Sequence, residues 1–120
     1  MAHILVIDDE SPIRLMLRML LESEGYTVTE ACDGTEGIKC YRENPADLII
    51  TDIIMPEKEG IETIMTLRKE NPSIKIIAMS GGGKNNADGY LKTAKLLGAL
   101  ETLKKPIRKD ALLAVIRKYI

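Results

Sequence analysis

Neither phenylalanine nor tryptophan occurs in the 120 residues, and tyrosine appears only four times. Any core must therefore be aliphatic, built from Leu, Ile, Val, Met and Ala. Long apolar runs are also missing. None approaches the ~20 residues a helix needs to cross a bilayer, and Ile4–Ile7 after Met1-Ala2-His3 is too short for a signal peptide. Charge of one sign is lacking too. The 17 Lys and Arg against 18 Asp and Glu leave a net charge of -1, which argues against direct nucleic-acid binding or a polybasic membrane patch. Cysteine is scarce, and Cys32 and Cys40 fit neither a CxxC redox motif nor a zinc pattern. They read as reduced packing residues of a cytoplasmic protein. His3, the single histidine, has no partner motif that would make it a metal ligand. No repeat, linker or low-complexity segment interrupts the chain.

What is present alternates. "HILVI" (3–7) is a short apolar run, followed by the acidic "DDE". Ser11-Pro12 reads as an N-cap with proline at the first helical position. Ile13, Met16, Leu17, Leu20 and Leu21 then recur at helical spacing until Gly25. "YTVTEA" (26–31) alternates as a strand, and Asp33-Gly34 is a turn signal before a helix over 35–43, weakened by Gly37. "DLIIT" (47–51) is a third strand. Pro56 and Gly60 bracket a loop before a third helix carrying Ile61, Ile64, Met65 and Leu67. "IKIIAM" (74–79) is a fourth strand, followed by Ser80 and three glycines. A fourth helix over about 86–97, a fifth strand "ALETL" (99–103) and a final helix through about 119 complete the pattern. Continuous apolar strands alternating with amphipathic helices predict an open α/β sandwich with a parallel sheet buried on both faces.

In such sheets, ligands bind beyond the carboxyl ends of the strands. The predicted strands deliver Asp8 and Asp9, Asp52, Ser80 and Lys105 to that edge. An unpaired buried carboxylate is costly, so Asp52 must reach solvent or meet a cation; its position at a strand end predicts the rim. Clustered carboxylates repel one another unless a cation is present. Their hard oxygens suit Mg²⁺, and Lys105 offers a further positive point for an anion. A carboxylate can also attack phosphorus to give an aspartyl phosphate. Taken singly, each residue has a plainer reading: a solvated helix-entry loop for Asp8-Asp9, a surface lysine for Lys105, a helix cap for Ser80. It is their joint placement at strand ends that points to a site. "GGGK" is not a phosphate-binding P-loop, because Lys84 is followed by Asn85 and the glycine expected six positions earlier is Ala78.

"ILVIDDE" (4–10), "DLIITDIIMP" (47–56) with Gly60, "IIAMSG" (76–81) and "LKKPI" (103–107) together resemble the receiver domain of two-component response regulators. The resemblance runs in the family's order along essentially the whole chain. It implies one receiver domain over 1–120, a three-layer flavodoxin-like α/β sandwich, and five parallel strands in the order 2-1-3-4-5 with five helices. It implies that Asp52 accepts a phosphoryl group from a sensor histidine kinase or a histidine phosphotransfer protein. Asp9 would hold Mg²⁺ directly, Asp8 through water and Ile54 through its backbone carbonyl, with Asp52 itself completing the metal set. Ser80 would be the switch hydroxyl, and Lys105, before a commonly cis proline, the site lysine. The protein would thus be a signalling switch rather than an enzyme acting on other substrates. Its output would go to an effector or output domain that the sequence does not name, and homodimers would form through the fourth helix, fifth strand and final helix.

Two other classes are weighed against this one. Haloacid dehalogenase phosphatases also use an aspartyl nucleophile but expect a second Asp two residues on, where Ile54 stands. A receiver-like module that has lost phosphate chemistry would not need all five polar residues. The departures from the family lie elsewhere. Thr102 occupies the usual aromatic position three before the lysine. "SGGGKNNADGY" is long and glycine-rich, which leads us to expect a loop that orders around phosphate. Ile54 and Gly82 offer no polar side chain to orient a hydrolytic water, so the phosphoryl group should be long-lived. Leu15 and Met19 fall off the main stripe of helix 1. They are expected to widen its buried face, although the family docks its kinase beside this helix. The final helix carries more apolar residues than one core stripe needs, which suits an exposed interface. Replacing Asp9 or Asp52 by Asn should stabilise the metal-free protein by about 1 kcal/mol.

Overall fold

The computed structural model describes residues 2–53, 59–80, 92 and 95–120. Five strands, β1 (His3–Ile7), β2 (Thr27–Ala31), β3 (Leu48–Asp52), β4 (Ile76–Ser80) and β5 (Glu101–Lys104), form one parallel sheet in the order β2-β1-β3-β4-β5. Four helices are found among the described residues: α1 (Ser11–Ser23), α2 (Gly34–Glu43), α3 (Glu59–Glu70) and α4 (Lys109–Tyr119). The predicted helix over 86–97 falls largely outside those residues, as do Ile54, Gly82 and the glycine-rich segment.

Alternate side chains of each strand point to opposite faces of the sheet. Ile4, Val6, Leu48, Ile50, Ile77 and Met79 meet Leu17 and Leu21 of α1 and Leu112 and Ile116 of α4. On the other face Leu5, Ile7, Ile49, Ile76 and Ala78 meet Tyr41, Ile64 and Leu67. The central strands thus lie between two aliphatic layers, which is why their sequences are continuous apolar runs. Truncating a fully buried member such as Ile50 to Ala would cost about 2–5 kcal/mol.

Several ends differ from the sequence reading. β3 and β4 each extend one residue further, so Asp52 and Ser80 are the last ladder residues rather than the first loop residues. β5 begins at Glu101, and α4 begins three residues beyond Pro106. Ser11 is not the N-cap of α1. Glu10 holds that position, and its carbonyl accepts the amides of Ile13 and Arg14. Asp33 is more than a turn residue, because its carboxylate caps α2 through the amide of Glu36 at 2.8 Å. Glu36 answers by accepting the Cys32 amide, which satisfies two donors at one helix start.

Two glycines mark close approaches between layers. A Cβ on Gly37 would lie 2.8 Å from Ile7 Cγ1, so α2 packs there at minimum distance from β1. Gly60 belongs to the first turn of α3 rather than to a loop. A Cβ there would lie 2.5 Å from the Asp52 carbonyl oxygen. Helix α3 therefore starts directly against the end of β3.

Candidate functional site

The carboxyl edge of β1, β3, β4 and β5 assembles the candidate site. β1 runs into Asp8, whose amide bonds the Ala31 carbonyl at 3.1 Å and whose side chain is fully buried. Asp9 follows and is exposed. β3 ends on Asp52, which is 3% exposed. Asp8, Asp9 and Asp52 each offer an oxygen, all within 4.8 Å of one another.

Asp52 does not reach solvent at the rim, as its position at a strand end predicts; it meets a cation. Lys105 Nζ lies 2.7 Å from Asp8 Oδ2, 3.1 Å from Asp52 Oδ2 and 3.4 Å from Glu10 Oε2. Its side chain is 10% exposed, which disposes of the surface-lysine reading. The base of this lysine is fixed as well, since its amide donates to the Ser80 carbonyl at 2.7 Å. The Lys105-Pro106 bond is cis, as the resemblance implies.

The electrostatics follow from this packing. Burial works against the charge on Lys105. Hydrogen bonding to Asp8 and the negative charges of Asp52 and Asp8 outweigh it, and the ammonium is held above its ordinary range. Asp9 is pushed the other way. Loss of water and the neighbouring charge on Asp8 raise its carboxyl above the ordinary 3.8. One ammonium offsets only part of the negative charge gathered there.

A donor set of clustered carboxylate oxygens, with no sulfur or imidazole, fits a hard divalent cation such as Mg²⁺. The fit is strengthened by the repulsion left on Asp9. Ile54, expected to add a carbonyl, lies outside the described residues. Ser80 is fully buried as the last residue of β4. Thr102 pairs with Ala78 in the ladder and is half-buried, leaving a small side chain at the position where the family carries an aromatic.

Two surfaces differ from expectation. Leu15 and Met19 are 54% and 63% exposed, so α1 does not have a widened buried face. With Pro12, Met16 and Leu20 they line a shallow apolar crevice. In α4 the apolar surplus is largely absorbed by the core: Leu112, Leu113 and Ile116 are buried, as is Ile107, and only Ile120 is a large exposed hydrophobe there.

Two polar residues at the site escape a strand-end reading. Glu10 reaches Lys105, and Arg14 donates from Nη1 to the Asp8 carbonyl at 2.7 Å. A signal for Arg14 existed: a cation near the start of a helix opposes the dipole, and local rule-breaking of this kind tends to mark function.

Comparison with known proteins agrees with this architecture. The sequence pattern of the response regulator receiver domain matches residues 4–117, and the chain belongs to that family. It is 32% identical to the chemotaxis protein CheY of Bacillus subtilis over 122 residues, covering all of this chain and 99% of that one. It is 33% identical to the transcriptional regulatory protein GlrR of Escherichia coli over 115 residues, where it spans only 25% of the longer protein. A crystal structure of a response regulator receiver domain protein from Clostridium thermocellum superposes with a TM-score of 0.90 at 36% identity, over 100% of this chain and 94% of that one. The family's general role is that of a phosphoryl-accepting signalling switch, not of a conventional enzyme. No described helix is long and apolar enough to cross a membrane.

Proposed function

We propose that this chain is a Mg²⁺-dependent phosphorylation switch with Asp52 as the acceptor. The observation that carries the reading is the lysine bridge: Lys105 Nζ contacts both Asp52 and Asp8 within a cluster of three carboxylates. In the reaction an Asp52 carboxylate oxygen forms a bond to phosphorus as the donor's P–N bond breaks. The donor is a phosphohistidine on a sensor kinase or phosphotransfer protein, and the imidazole leaves with a proton. Asp8 and Asp9, with the Ile54 carbonyl, would hold Mg²⁺, which supplies charge neutralisation for the phosphoryl oxygens. Lys105 offers its ammonium to the same oxygens, and the Ser80 hydroxyl donates to the product. The chemistry demands little of the protein beyond positioning and charge stabilisation.

Partner recognition follows from the surfaces. Leu15 and Met19 on α1, beside the acidic loop, provide an apolar face for the kinase or phosphotransfer protein. The phosphorylated state would be read by an effector, an output domain or a second copy through the helix predicted over 86–97, β5 and α4. Placement in the cytoplasm, where such kinases present their phosphohistidine, belongs to the same reading.

Intact-mass spectrometry after incubation with Mg²⁺ and acetyl phosphate tests the proposal. One phosphoryl group is expected on the wild type, none on Asp52→Asn and none in chelator. An adduct that survives Asp52→Asn, or no adduct at all on the wild type, would overturn it.

A further inference from the structure

Asp8 is held at every polar atom. Its amide goes to the Ala31 carbonyl, Oδ1 accepts the Glu10 amide at 2.9 Å, and Oδ2 accepts Lys105. Its carbonyl accepts Arg14 Nη1. That last bond is the only one of these four supplied by a side chain outside the acidic cluster and its lysine. Arg14 is itself constrained. Its side chain is 17% exposed, and Nε donates to Glu30 Oε1 at 3.2 Å. Glu30 sits on β2 opposite Val6, and its other oxygen accepts Arg18 Nη1 at 3.1 Å. The carboxylate is thus gripped between two guanidinium groups.

The Asp8 carbonyl and the Asp9 amide belong to one rigid peptide plane. Asp9 is exposed, so packing does not set its direction; its carboxyl bonds its own amide, which lies in that plane, and the Asp8 side chain. A charge-assisted bond to the carbonyl is about twice as strong as a neutral one and fixes the plane. We propose that Arg14, oriented by Glu30, is a positioning residue for the acidic pocket: it holds the Asp8–Asp9 peptide so that the Asp9 carboxylate points toward Asp52. The proposal rests on the reading of Asp8 and Asp9 as a metal-holding pair. An edge strand that carries no ligand of its own thereby contributes to the affinity of the site.

The test is a calorimetric Mg²⁺ titration of the wild type, Arg14→Ala, Arg14→Lys and Glu30→Gln, beside thermal melts and amide exchange without metal. Loss of a group that orients a ligand typically weakens metal binding 10–100-fold, so Arg14→Ala should bind Mg²⁺ at least about 10-fold more weakly. Arg14→Lys, which keeps one donor, should recover part of that loss, and Glu30→Gln should fall between wild type and Arg14→Ala. The Asp9 amide should exchange faster in Arg14→Ala before any metal is added. If the variants melt lower yet bind Mg²⁺ like wild type, the brace is purely structural and the proposal falls. Should Arg14→Ala fail to fold, unchanged affinity in both Glu30→Gln and Arg14→Lys overturns it equally. A wild type that takes up no Mg²⁺ would bring down the reading of the pocket itself, and the brace with it.

Discussion

Asp9→Asn should make the metal-free protein more stable. Asp9 is the exposed member of the acidic cluster, and its raised carboxyl reflects partial loss of water and the charge on Asp8. Two unit charges about 5 Å apart repel by about 1 kcal/mol in a water-like dielectric and about 3 kcal/mol at an effective dielectric of 20. Exposure places Asp9 near the lower figure, so a gain of about 1 kcal/mol is expected. For 120 residues the unfolding entropy is about 0.25 kcal/mol/K, which converts that gain into a midpoint rise of about 4 °C. The sign of the pH dependence follows. A folded-state pKa above the unfolded value means that stability is present at low pH and lost as pH rises through the folded value. The advantage of Asp9→Asn should therefore be full at neutral pH and vanish below about pH 4. Saturating Mg²⁺ should reverse the order, since a ligand at 100 times its Kd adds about 2.7 kcal/mol to the wild type. Differential scanning calorimetry in chelator and in Mg²⁺ measures all of this. A midpoint for Asp9→Asn at or below the wild type in chelator at pH 7 would refute the reasoning. Asp52→Asn should not share the gain expected from sequence, because Asp52 also loses its ion pair with Lys105.

Other expectations test the packing around the site. Lys105→Ala removes the cation from two buried carboxylates and should cost about 3–5 kcal/mol in chelator, read by urea unfolding; a loss below 1 kcal/mol would count against a structural role for the bridge. Gly60→Ala forces a methyl against the Asp52 carbonyl and should cost about 1–3 kcal/mol while slowing phosphorylation by acetyl phosphate, and unchanged values of both would contradict the close approach. Glu101 is held below its ordinary range by the Tyr119 hydroxyl and then by Lys118, so its contribution is present at neutral pH and lost as pH falls through the lowered value. Glu101→Gln should accordingly be less stable than wild type at pH 7, by under about 1 kcal/mol, with the gap closing toward pH 3 in paired melts. Met19→Glu should reduce phosphotransfer from a histidine kinase while leaving acetyl phosphate labelling intact, and equal loss of both would argue that α1 serves the fold rather than a partner.

The core strands could be read because burial on both faces writes itself as an unbroken apolar run. Their ends could not, for a single reason: Asp52, Ser80 and Lys104 are polar, and a pattern of polarity marks a loop where the backbone ladder in fact continues. Strand order brings Asp8, Asp9, Asp52, Ser80 and Lys105 to one edge of the sheet, but it does not give their depth. Asp52 lies beneath Lys105 rather than at an open rim, since burial depends on what folds over a residue. Helix α1 shows another limit. Leu15 and Met19 are as apolar as their buried neighbours, and spacing alone does not tell a face covered within the chain from one left to solvent. Arg14 and Glu30 meet across 16 positions of sequence; no local pattern contains such a pair.

An ammonium group has three hydrogens to give. Lys105 already has three carboxylate neighbours, so its valence is full, and any new acceptor on Asp52 must displace an old one. The longest of the three contacts is to the side chain of Glu10, which stands at the N-cap position of α1. An anion arriving on Asp52 therefore has a ready vacancy to create at a helix entrance on a different element. That exchange of partners would tie the occupancy of the pocket to the start of α1, without calling on an aromatic side chain at position 102.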